Sequence, residues 1–74
     1  MHGLLGSAMA MINLLALREI AYLLYTELSA MERMTYDPEA HEEEVSKRYS
    51  TLTEDQVSII CDEIGEHCLE ELTS

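Results

Sequence analysis

Cys61, His67 and Cys68 are the residues whose types most invite chemistry in this chain. Thiolate and imidazole are the ligands of structural zinc, which takes four of them, paired at close spacings such as C-x₂₋₄-C. Here the cysteines stand seven residues apart, two helical turns or about 10 Å along one helix. One helix cannot wrap that pair around a tetrahedral ion, and the same distance excludes a disulfide within it. His41 or a second chain would have to complete the set. The spacing reads instead as two small apolar residues on a core-facing helix side, since free cysteine is among the most buried residue types. No metal and no cofactor is expected.

The carboxylates give no stronger signal. Di-iron helical bundles use Glu-x-x-His with further inward-pointing glutamates. No Glu-x-x-His occurs here, and Glu63 precedes His67 by four residues rather than three. His41-Glu42-Glu43-Glu44 reads as a charge run on a solvated face. No carboxylate pair sits in an apolar setting that would raise a pKa. The three glycines form no phosphate-cradling loop, and no Gly-x-Ser-x-Gly elbow is present. With no recognisable acid, base or nucleophile set, the chain is not expected to be an enzyme.

What remains is an uneven distribution of charge and oil. The chain has 74 residues and a formal net charge of −11. Up to Met34, two cations (Arg18, Arg33) face three acids (Glu19, Glu27, Glu32). From Thr35 on, two cations (Lys47, Arg48) face the other twelve of the 15 acids. Such a charge disfavours direct contact with nucleic acid, where Lys and Arg must replace counterions. It disfavours anionic membrane surfaces for the same reason. It favours a protein partner with a basic surface. A domain this small has a marginal core, and two cysteines are too few for a disulfide framework, so self-association is the expected staple.

Three helices account for the pattern, giving an all-α fold of one domain. Gly3 to Leu17 carries no charge, and the apolar phase continues to Met34, so one long helix is expected over about 5–34. Within it Leu14, Leu17, Ala21, Leu24, Leu28 and Met31 recur at alternating spacings of three and four. That is a heptad seam, expected to bind a second copy or another protein. Tyr22 points away from the seam and is the best candidate among the tyrosines for an interface anchor. Fifteen uncharged residues broken by Arg18-Glu19 are too few to span a bilayer, which needs about 20. Met1-His2-Gly3 lacks the basic start of a secretory signal, and a cytoplasmic protein is expected.

Asp37-Pro38 suits an N-cap followed by the first helical position, opening a short charged helix over about 38–49. Glu43 with Lys47 and Glu44 with Arg48 are expected i,i+4 pairs, and His41, Val45 and Tyr49 line its thin apolar edge. Thr53-Glu54-Asp55-Gln56 is a capping box that opens an amphipathic third helix over about 54–72. Val57, Ile60, Cys61, Ile64 and Cys68 share one face of it. The apolar phase survives past Gly65, so the helix is expected to continue through it.

Asp55, Asp62, Glu63, Glu66 and Glu70 make an acidic face on the far side, spread over about 22 Å at 1.5 Å per residue. Duplex DNA carries a phosphate every ~1.7 Å of axis, so the row is sparser than DNA but has its sign. In composition the chain resembles the short acidic inhibitors that bacteriophages direct against host defence or transcription machinery. That resemblance implies a non-enzymatic protein that binds and inhibits a basic partner by masking its nucleic-acid-binding surface. The alternatives are an accessory subunit docking through the apolar N-terminal helix, and a small membrane-associated protein.

Overall fold

Two capping boxes and one proline set the boundaries of the fold. In the computed structural model the backbone is described for residues 2–73 and the side chains for residues 14–73. Four helices occur among them: α1 (His2–Glu27), α2 (Ala30–Met34), α3 (Pro38–Arg48) and α4 (Glu54–Thr73). Helix covers 83% of the chain and no strand forms among the described residues, so the all-α class holds.

The long N-terminal helix differs from expectation. It ends at Glu27, and Leu28-Ser29 separates it from α2. The cause is local. The Ser29 hydroxyl accepts from the Glu32 amide at 3.2 Å, and the Glu32 carboxylate accepts from the Ser29 amide at 2.8 Å. Ser29 has extended geometry, with φ −71° and ψ 167°, as an N-cap requires. These hydrogen bonds hold the Glu32 carboxyl below the usual carboxylate range. The Leu28 amide closes the last turn of α1 onto the Tyr25 carbonyl at 3.1 Å.

The other boundaries fall as expected. Asp37 caps α3 by accepting from the Glu39 amide at 3.1 Å, and Pro38 opens the helix. Thr53 and Gln56 exchange hydrogen bonds of 3.2 and 2.9 Å at the start of α4. Helix α4 runs straight through Gly65. A Cβ at that position would stand 3.3 Å from Pro38 Cγ, so the missing side chain lets α3 approach closely.

Helix α4 is the hub, packing on α1, α3 and α2. Its Val57, Ile60, Cys61, Ile64 and Cys68 are all buried. They meet Val45 of α3 and Leu17, Ala21 and Leu24 of α1 in one core. Contacts between α1 and α4 advance in the same sense along both: Arg18 with Glu63, Tyr22 with His67, Tyr25 with Glu71. Arg48 corrects a second expectation. It leaves Glu44 and grips Glu27 at the end of α1 with a two-pronged pair of 2.6 and 3.0 Å. That pair ties α3 to α1 and holds the Glu27 carboxyl below its ordinary range. The Glu43–Lys47 pair forms as expected, at 3.3 Å.

Candidate interaction surfaces

The chemistry-bearing residues are dispersed. Cys61 and Cys68 are both buried free thiols on the core side of α4. Burial pushes the Cys61 thiol up to about 11 and raises Cys68 too, so neither is a ready nucleophile or ligand. His41 sits against Tyr36, whose hydroxyl lies 2.7 Å from its Nδ1. That hydroxyl also meets the Cys61 thiol, and burial raises its pKa. Cys61, Tyr36 and His41 thus form a small, water-poor hydrogen-bonded group that locks α3 to α4. His67 lies elsewhere, with Tyr22 and Tyr25 at ring-centroid distances of 5.7 and 5.3 Å. Among the described residues, no cluster of three or more His, Cys, Asp or Glu is placed to hold a metal ion.

The heptad seam does not form the surface expected of it. Leu17, Ala21 and Leu24 are buried against this chain's own α4, and Leu28 packs on the same core. Only the two ends stay open, Leu14 at 40% and Met31 at 70% exposure. The stripe is apolar and needs cover, as its spacing predicts. Its cover is α4, because parts of α1 and α4 distant in sequence come together in the fold. Ala10, which extends the seam backwards, lies outside the described side chains, as do Met9 and Met11.

The outer side of α1 is what remains apolar. Leu15, Tyr22 and Leu23 are each more than half exposed. With His67 and Glu63 of α4 they line an open groove. This surface carries no heptad signal of its own. The clue available in sequence was that leucines surround α1 on more sides than one partner can cover. A second apolar strip, Met34 with Leu69 and Leu72, borders the groove between α2 and the end of α4.

The acidic face is assembled as expected, with one exception. Asp55, Asp62, Glu66 and Glu70 are exposed along α4. Glu63 is half-buried and stands 3.9 Å from Arg18. Each of the four Lys/Arg residues is drawn into an ion pair, three of them away from this face: Arg18 with Glu63 at its edge, Arg33 with Glu71, Lys47 with Glu43, Arg48 with Glu27. Arg33 also lies over the Tyr25 ring at 4.3 Å. Among the described residues no cation pairs with Asp55, Asp62, Glu66 or Glu70. Ile59, 40% exposed, sits in the middle of this face.

Fold and surfaces together define a small all-α domain with an anionic face on α4 and two exposed apolar strips. Among the described residues, no helix is long and apolar enough to cross a membrane. No family model, curated protein or solved structure matches the chain.

Proposed function

We propose that this chain is a non-enzymatic, cytoplasmic inhibitor that binds a basic protein partner through the outer face of α4. The reading is carried by one observation: among the described residues Arg18 reaches only Glu63 at the edge of that face and the other three cations pair elsewhere, leaving Asp55, Asp62, Glu66 and Glu70 exposed and without a cation. Four carboxylates on a rigid helix present fixed negative charge at low ordering cost. A groove lined with Lys and Arg would accept that row in place of nucleic-acid phosphates. Inhibition then follows from occupancy alone, with no chemical step. Exposed Ile59 gives the charged row an apolar centre, which charge by itself would not provide.

The test is capture from native lysate followed by competition. The wild-type chain should retain a basic protein, and adding the chain should release that protein from its DNA or RNA in a mobility-shift assay. D62K/E66K/E70K should lose capture and flatten its dependence on salt. Capture unchanged by that triple substitution removes the masking mechanism. It would favour the accessory-subunit reading, for which the exposed Leu15, Tyr22 and Leu23 of α1 are the supporting observation.

A further inference from the structure

The groove between α2 and the C-terminal half of α4 joins two kinds of surface. Met34 of α2 and Leu69 and Leu72 of α4 line it, each more than half exposed, with Tyr36 and Pro38 beside them. Asp62 and Glu66 line it too, both exposed and, among the described residues, without a cation. Helical spacing explains the juxtaposition. Asp62, Glu66 and Leu69 stand at i, i+4 and i+7, so two acids and a leucine share one strip of α4. Leu72 follows Leu69 by three residues and extends the apolar part. We propose that this groove binds an amphipathic helix of a protein partner, with leucine-like side chains along one stripe and Lys or Arg along the edge beside it.

Charge selects the occupant. Arg33 also lines the groove, but its guanidinium is held over the Tyr25 ring at 4.3 Å and by Glu71 at 3.4 Å. The charge left to meet a ligand is that of Asp62 and Glu66. A second copy brings another −11, and an anionic lipid surface or a nucleic acid has the same sign. Each is repelled at those carboxylates, whereas a Lys- or Arg-bearing edge is attracted. Backbone chemistry selects the form. Helical walls offer no strand edge for an extended peptide to pair with. A helix satisfies its own backbone and presents apolar side chains at i, i+3/i+4 and i+7 to such a groove. The run from Asp62 to Leu72 is about 15 Å of α4, which matches about three turns of an incoming helix. Met34 supplies an unbranched side chain that can adapt to the apolar stripe it meets. The inference rests on the masking reading for the sign of the partner's charge, and adds the element that the partner contributes.

Fluorescence anisotropy with a synthetic peptide tests it. The probe is a labelled leucine–lysine amphipathic helix of about 18 residues, long enough to form a helix readily. The wild-type chain should bind it. The same peptide with serine in place of leucine should bind at least about tenfold more weakly. L69Q/L72Q alters only exposed positions and keeps good helix formers, so its circular dichroism should match wild type. Its affinity for the leucine peptide should fall at least about tenfold. L15Q/L23Q, on the outer strip of α1, should stay within about twofold of wild type. D62K/E66K should weaken binding and flatten its salt dependence. No binding by the wild type, equal binding of the serine peptide, or unchanged affinity in L69Q/L72Q each overturns the groove. If D62K/E66K still loses affinity while L69Q/L72Q does not, the masking reading survives without the groove. Unchanged affinity in D62K/E66K overturns the basic character of the occupant. A loss in L15Q/L23Q as large as in L69Q/L72Q removes the assignment to this groove. A wild-type dimer in sedimentation equilibrium that L69Q/L72Q breaks gives the groove to a second copy instead.

Discussion

Single side chains carry most of the contrast between what this chain might do chemically and what its thiols actually do. Cys61 is the clearest case. Burial pushes its thiol from an ordinary value near 9 up to about 11. The folded state therefore holds this proton more tightly than the unfolded chain. That contribution to stability is complete below pH 9 and is lost as pH rises through 11. The urea midpoint should fall over that window, and C61A should flatten the fall. Both thiols should react with a thiol reagent only as fast as the chain unfolds; rapid native labelling would contradict their burial. Gly65 is set by space rather than by chain freedom. Pro38 Cγ lies 3.3 Å from where a Cβ would stand, a tight contact with no room for a longer side chain beyond it, so G65L should cost about 1–3 kcal/mol by overpacking, read from the same urea midpoint.

At the scale of elements, caps prove stronger than periodicity. The apolar phase of α1 runs on through Leu28 and Met31, and it predicts a continuous helix. The backbone breaks there because Ser29 and Glu32 satisfy each other's amides. The signal was legible as Ser29-x-x-Glu32, the same grammar that correctly placed Thr53 and Gln56 at the head of α4. It was outweighed by a stripe that continues on both sides of the break. S29A should cost about 1 kcal/mol in chemical denaturation, with faster amide exchange over residues 30–34. The break turns α2 toward the end of α4, where Arg33 meets Glu71 and covers Tyr25. Tyr25 and Arg33 together hold the Glu71 carboxyl below its usual range.

For the whole molecule, α1 has one side committed and one side open. Leu24 is 4% exposed, against α4 of the same chain. Truncating such a leucine costs about 2–5 kcal/mol, a large part of what a domain this size has to spare. L24E should therefore unfold the chain, seen as loss of helical circular dichroism, rather than merely separate two copies. The charge imbalance gives a second prediction. Fifteen acids face four cations, and the cations sit in pairs that keep at least one partner largely open to solvent and are of small individual worth. Screening should weaken the repulsion more than the pairs, so the melting temperature should rise between low salt and about 0.5 M NaCl. A fall would mean that the four ion pairs dominate.

The residues themselves determined the helical class, the caps at Asp37 and Thr53, the buried side of α4 and the negative charge opposite it. Each depends on neighbours within about a turn, where periodicity and hydrogen-bonding grammar act directly. Tertiary structure alone decided that Leu17, Ala21 and Leu24 are covered by α4, that Arg48 crosses to Glu27 in preference to Glu44, and that Leu15, Tyr22 and Leu23 are the apolar residues left outside. An apolar stripe states that it must be covered and not by what. The answer depends on which distant segments dock, and no local pattern holds that information.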